Sequence, residues 1–192
     1  MNPAMRITVW GAIVGLCLLA GQGVSAAQGA SAQDYQAQSE YIRSFADFVD
    51  WSSSVPSRAS SETIFFCVLG RDPYGDLLDK SVLGHPVGGR RTIITRARSL
   101  EDLGTCDILF ISPSETKHET KIFKRLRNKD VLTVGDTDNF AIHGGIIQFV
   151  TNQGHVRFLI NVDAAQRAGL KIRASLLALA TIVHDGPGKR GG

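Results

Sequence analysis

The sequence predicts an α/β fold: three layers, α/β/α, around a central, mostly parallel sheet, with an antiparallel hairpin toward the C-terminus. Two observations carry this. Apolar or β-branched runs at 63–69, 91–95, 107–111 and 131–134 alternate with segments of helical periodicity, the order that builds a parallel sheet covered on both faces. Two further apolar runs, 140–151 and 155–161, meet across Asn152-Gln153-Gly154 and read as an antiparallel hairpin.

The elements follow in order. Arg6 precedes an uncharged, mostly apolar run from Ile7 to Ala20, and small residues follow at Val24-Ser25-Ala26-Ala27. This is the pattern of a cleavable signal peptide over residues 1–27, and the run is shorter than the ~20 residues of a bilayer span. Cys17 raises the alternative of a lipid anchor, but Leu16 stands where a small residue is needed. Residues 28–34 read as a flexible leader, 35–184 as one domain, and 185–192, rich in Gly and charge, as a disordered tail.

Within the domain, Tyr41, Ile42, Phe45, Phe48 and Val49 make one apolar face of a helix from Tyr35 to Trp51, ended by Ser52-Ser-Ser-Val-Pro56. Asp72-Pro73 predicts the cap and first turn of a second helix, stopping near Gly84. Ser99 to Leu103 reads as a short helical turn, and Ser114 to Asn128 as a helix with Ile122, Phe123 and Leu126 facing inward. Asp163 to Ala168 is a short helix closed by Gly169. Leu176, Leu179, Ala180 and Val183 predict a last helix over 173–183.

Charge excludes one function class. The chain carries 21 Lys and Arg against 18 Asp and Glu, a formal net charge of +3. Loss of the signal removes only Arg6. No concentrated basic face suggests nucleic acid. Two cysteines remain after processing, Cys67 and Cys106. An even pair in an exported chain favours a disulfide, and two reduced, buried thiols are the alternative.

Several blocks together resemble the YfiR-like family of periplasmic proteins. They are Cys67-Val-Leu-Gly-Arg-Asp-Pro-Tyr-Gly75, Cys106-Asp-Ile-Leu-Phe-Ile-Ser112, Leu132-Thr-Val-Gly-Asp136, Phe140-Ala141, Gly144-Gly-Ile-Ile-Gln-Phe149, Val156-Arg-Phe158 and Arg167-Ala-Gly-Leu170. Their order and spacing carry the resemblance across about residues 35 to 183. It implies a periplasmic regulator with no enzymatic activity and no cofactor. The family's best-studied member restrains an inner-membrane diguanylate cyclase, and an outer-membrane lipoprotein relieves that restraint. The partners so implied are the periplasmic region of such a cyclase, or of another membrane sensor such as a histidine kinase, and an outer-membrane lipoprotein. A homodimer is a further partner reading. Cys67 and Cys106 match the family's cysteine positions, whereas a second pair near the hairpin is missing here, which puts redox control through that pair in doubt.

Rival chemistries find little support. Asp136-Thr-Asp138-Asn139 offers alternating oxygen ligands but lacks the glycine and distal glutamate of a calcium loop, and reads as a solvated turn. His118-Glu119 lacks the second histidine of a zinc-protease helix, and His143 and His155 lack further metal ligands. Gly88-Gly-Arg-Arg91 precedes a strand rather than the helix of a phosphate loop. Lys117, Lys121, Lys124, Arg125 and Arg127 read as a solvated helix face. No Gly-x-Ser-x-Gly elbow is present.

Two candidate sites remain. A two-residue turn at Gln153-Gly154 places Ile147, Phe149, Phe158 and Ile160 on one face of the hairpin and Gln148, Arg157 and Asn161 on the other. The polar three either brace the Val162–Lys171 connection or floor a small pocket. Arg167, Leu170 and Ile172, in an irregular segment between two helices, are the expected partner-binding surface. Two function classes stand: an inhibitory module acting on a membrane signalling enzyme by protein contact, and a periplasmic small-ligand sensor.

Overall fold

The structure, a computed structural model, describes residues 30–51 and 61–186. The expected signal peptide, the break at Ser52–Pro56 and residues 187–192 of the expected tail lie outside the described residues.

The first helix, α1 (Ala32–Phe45), starts earlier than its apolar periodicity predicts. The Ser31 hydroxyl accepts from the Asp34 N–H at 3.2 Å, and the Asp34 carboxylate accepts from the Ser31 N–H at 2.8 Å. This reciprocal capping box makes residues 31–34 the start of the helix, correcting the flexible leader placed at 28–34. At its other end α1 tightens into a 3-10 turn, Ala46–Phe48, and then becomes a short strand, β1 (Val49–Asp50). The helix expected as far as Trp51 therefore ends early.

The remaining strands are β2 (Thr63–Leu69), β3 (Arg91–Ala97), β4 (Ile108–Ile111), β5 (Leu132–Gly135), β6 (Ile147–Asn152), β7 (His155–Asn161), β8 (Lys171–Ile172) and β9 (Thr181–Val183). Helices α2 (Asp76–Val82), α3 (Glu119–Leu126), α4 (Val162–Arg167) and α5 (Ala174–Leu177) lie between them. Seven strands form one sheet in the order β3-β2-β4-β5-β6-β7-β9, with β1 and β8 in a separate antiparallel pair. From β3 to β6 every pairing is parallel. β7 is antiparallel to β6, and β9 is parallel to β7. The expected mostly parallel sheet with a C-terminal hairpin is what the chain adopts.

Alternation along the strands makes two cores. Ile64, Phe66 and Val68 of β2, with Ile108 and Phe110 of β4, face α1 and α2. Their neighbours Cys67, Leu69, Leu109 and Ile111 face Ile122 of α3 and Phe140. Strands buried on both faces lose the polar alternation of a solvated sheet, which is why these runs are apolar throughout. In the first core Phe45 lies 5.8 Å from Phe149 and 5.2 Å from Phe158, tying α1 to the hairpin. In the second, Cys67 and Cys106 form a disulfide with Cα atoms 6.0 Å apart, the arrangement expected of the even pair.

The hairpin has the expected register. Gln148 faces Leu159, Val150 faces Arg157 and Asn152 faces His155. Gln153 and Gly154 take φ of 51° and 75°, the left-handed pair of a type I′ turn.

Other local expectations also fail, among them the strand expected from residue 140, which begins only at Ile147. The helix expected over 173–183 is only the single turn of α5, and Thr181-Ile-Val183 joins the sheet as β9. Leu179, which shares that expected helical spacing with Leu176, is 70% exposed. A β-branched run beside a free sheet edge pairs with that edge rather than continuing a helix. Ser99–Leu103 is a bend, not a helical turn, with the Ser99 hydroxyl accepting from Asp102 N–H at 3.3 Å. Asp72 does not cap α2, which starts at Asp76. It accepts from Tyr74 N–H at 2.8 Å and from Arg96 Nε at 2.6 Å.

Candidate functional site

A parallel crossover usually carries a helix, but the chain passes from the end of β5 to the start of β6 through residues 136–146 in turns alone. This segment covers the second core, and the polar face of the hairpin holds it there. Ala141 N–H donates to Gln148 Oε1 at 3.1 Å, and Asn161 Nδ2 donates to the Ala141 carbonyl at 2.6 Å. One peptide residue is thus gripped at both polar groups by two buried side chains. The Thr133 hydroxyl accepts from Ile146 N–H at 3.0 Å. The Phe140 ring sits between Gly135 and Gly145, so close to both that an added Cβ at either would collide with it.

Of the three polar residues expected to share a face, Gln148 and Asn161 converge, while Arg157 is exposed and joins neither. Only Asn161 touches the Val162–Lys171 connection. Asn161 Oδ1 caps α4 by accepting from Ala164 N–H at 2.9 Å, as a brace on the Val162–Lys171 connection should, but Gln148 braces Ala141 instead.

Asn161 Nδ2 also donates to Asp185 at 2.9 Å, and Arg167 donates to both carboxylate oxygens of Asp185. Asp163 accepts from Asp185 N–H at 3.2 Å and lies 3.1 Å from the His184 ring. Burial works to raise the Asp185 pKa, but hydrogen bonds from Arg167 and Asn161 outweigh it and hold the carboxyl below its ordinary value. Asp185 is therefore a buried anchor, which corrects the tail expected over 185–192 at its first residue. Arg167 is the other half of that anchor. Leu170 and Ile172, expected beside it on a partner-binding surface, are buried at 5% and 8% exposure. Ile172 pairs with Val49 across the small β1–β8 sheet. Long-range strand pairing absorbs the aliphatics that local packing could not.

Two carboxylates at the ends of the crossover segment were not visible as site residues. Glu119, at the start of α3, is buried; it accepts from the Thr137 hydroxyl at 2.6 Å and lies 3.8 Å from His143 Nδ1. Asp136 leaves the carboxyl end of β5 beneath α1, where it meets the Tyr35 hydroxyl. Burial raises its pKa to about 6 against the opposing hydrogen bonds from its own backbone and Tyr35. Its Oδ1 is buried without a hydrogen-bond partner. Asp136 thus differs from the solvated turn that Asp136-Thr-Asp138-Asn139 suggests. The signal available in the sequence was its place directly after an apolar strand, at the carboxyl edge where open α/β sheets gather functional groups.

Among the described residues no group of three or more His, Cys, Asp or Glu is placed to hold a metal ion, and no helix is long and apolar enough to cross a membrane. A family model described as YfiR/HmsC-like matches residues 35–181, from α1 to the first residue of β9. A crystal structure of a conserved domain protein from Vibrio cholerae O1 biovar eltor superposes with a TM-score of 0.50 at 14% sequence identity. The match covers 77% of this chain and 59% of that one, so the chain spans about three fifths of that protein's length. At this identity the likeness concerns the fold alone.

Proposed function

This chain belongs to the YfiR/HmsC-like family, and from that membership we propose that it is a periplasmic regulator that binds and restrains a membrane-bound signalling enzyme. The enzyme class is a diguanylate cyclase, so that the protein lowers cyclic di-GMP output. The observation that carries this reading is the family match over residues 35–181, which takes in the whole seven-stranded sheet up to the start of its last strand. The pattern of residues 1–27 supports export to the compartment where such a contact takes place.

The structure bears on how the contact would be made. Leu170 and Ile172 are buried, so partner contact falls to side chains that remain accessible. Ile142 on the crossover segment is one, and Leu179 and Ile182 beside the β9 edge are others, all exposed aliphatics. Intracellular cyclic di-GMP, measured in a strain lacking the protein with and without a plasmid copy, tests the reading. A rise reversed by the plasmid is the expected result. An unchanged level across several growth conditions would refute restraint of a cyclase.

A further inference from the structure

Lys121, Lys124 and Arg125 of α3 recur at spacings of three and four, and Lys117 stands one turn earlier, in the 3-10 turn Pro113–His118 that runs into the helix. All four are exposed, on the side away from buried Glu119 and Ile122. From Lys117 to Arg125 the helix rises about 12 Å, close to one Debye length at 0.1 M salt, so the four charges act as one stripe. Acids offset little of it. Glu119 is buried and accepts from Thr137, and Glu115, with 16% of its side chain exposed, is held by His118. Glu101 lies 3.4 Å from Lys121, but both side chains are more than half exposed and solvent screens the pair. No exposed large aliphatic of the described residues lies on the stripe: these are Leu83, Ile93, Ile142, Leu179 and Ile182.

From this arrangement we infer that the α3 stripe docks on an anionic phospholipid surface. Charge complementarity supplies the attraction, about fivefold in affinity for each Lys or Arg brought near such a surface. Side-chain type selects lipid over protein. Interfaces between proteins are enriched in aromatic residues and Arg, depleted in Lys, and centred on buried anchors. Here three of the four cations are Lys, on a convex helix face that carries no apolar anchor. A fluid lipid surface needs no matching shape, and the hydrated point charge of Lys meets it without a fixed geometry. With nothing apolar to insert, the contact is peripheral and sensitive to salt. Docked in this way, the protein holds the crossover segment near the lipid, because Phe140 packs 5.2 Å from Phe123 of α3. The inference is independent of the cyclase reading and stands or falls on lipid binding alone.

Co-sedimentation of the purified protein, in the form its cells accumulate, with vesicles of equal parts phosphatidylglycerol and phosphatidylcholine tests it, against phosphatidylcholine alone. The anionic vesicles should bind about tenfold or more tightly, and about 1 M salt should abolish the difference. Lys117→Glu combined with Lys124→Glu should weaken that binding about tenfold or more with an unchanged melting curve, since both side chains are exposed. Lys117→Gln with Lys124→Gln, which adds no new charge, should show a smaller loss of the same sign. Arg43→Glu with Lys80→Glu makes the first charge change on α1 and α2, across the sheet from α3, and should leave binding intact. Equal binding to the two kinds of vesicle would overturn the inference, as would binding that survives high salt. So would equal losses in the two Glu variants, because the attraction would then belong to net charge and not to the stripe. Retention on immobilised polyglutamate without vesicle binding would also overturn it and assign the stripe to an acidic protein.

Discussion

Asp136 allows a stability prediction whose sign and size both follow from its surroundings. Burial raises its pKa from 3.8 to about 6, and one carboxylate oxygen has no partner. The native state therefore holds the proton more tightly than the unfolded chain does. Between about pH 4 and about pH 6 the folded protein binds more protons at this position, so stability falls as pH rises through that window and levels off above it. A shift of about two units corresponds to roughly 3 kcal/mol at neutral pH relative to the acid limit. Asp136→Asn keeps an oxygen for the Tyr35 hydroxyl and removes the ionisation. Urea unfolding of both proteins across this range is the assay, because the difference between them isolates position 136 from every other titrating group. The variant should match the natural protein near pH 4 and exceed it by roughly 3 kcal/mol near pH 7. For a domain of this size that is about 6–12 °C in Tm. A variant less stable at pH 7 would refute the reasoning, since the carboxylate would then have a favourable partner that the geometry does not show.

Other perturbations address the braces. Reducing the Cys67–Cys106 disulfide, whose cysteines are 39 residues apart, should destabilise the domain by about 4 kcal/mol, read as the loss of Tm on adding reductant during calorimetry. Asn161→Ala removes the α4 cap and the side-chain donor to the Ala141 carbonyl, which keeps only the Gly144 N–H; about 1–3 kcal/mol should be lost in chemical unfolding, with the largest gain in amide exchange around residues 140–146. Arg167→Glu sets a second negative charge against buried Asp185, so its effect should appear in the melting curve and not only in partner binding. We expect a loss of about 2 kcal/mol, less than for a fully buried pair because a third of the Arg167 side chain meets solvent. Gly145→Ala drives a methyl into the Phe140 ring and should lower Tm by several degrees, whereas Gly104→Ala, with open space around it, should not.

Where the fold was legible, one local rule decided the outcome. Doubly buried strands such as Ile108–Ile111 are continuous apolar runs, and Gln153-Gly154 set the hairpin register that places Gln148 opposite Leu159. Where it was not, distant residues decided. Val49 and Asp50 become a strand only because Lys171 and Ile172 lie beside them, more than a hundred residues away in the chain. That pairing buries Ile172, which local spacing left without a core. Thr181-Ile-Val183 has helical spacing with Leu176 and Leu179, yet the free edge of β7 offers it a ladder. Asp185 opens a segment whose Gly-rich composition suggests disorder, and only the meeting of Asn161 and Arg167 in space makes it an anchor.

The polar residues on the sheet's second face have a common cause. A helix in a parallel crossover satisfies its own backbone, so the strands beneath it can be wholly apolar. Residues 136–146 form no helix; turn bonds such as His143 N–H to the Asn139 carbonyl pair some of their backbone groups, and others take partners from outside the segment. Gln148 and Asn161 serve Ala141, and Thr133 serves Ile146. A polar side chain at these three strand positions is therefore the counterpart of the missing helix. The consequence is mechanical. A helix resists opening through many cooperative bonds of its own, whereas this segment rests on a few turn bonds and three strand side chains, of which Asn161 also holds α4 and Asp185. Anything that moves His143 or Ile146 acts on a segment whose restraints are turn bonds and single side chains in place of a helical ladder. Exposed Ile142, next in the chain to the gripped Ala141, would move with that segment.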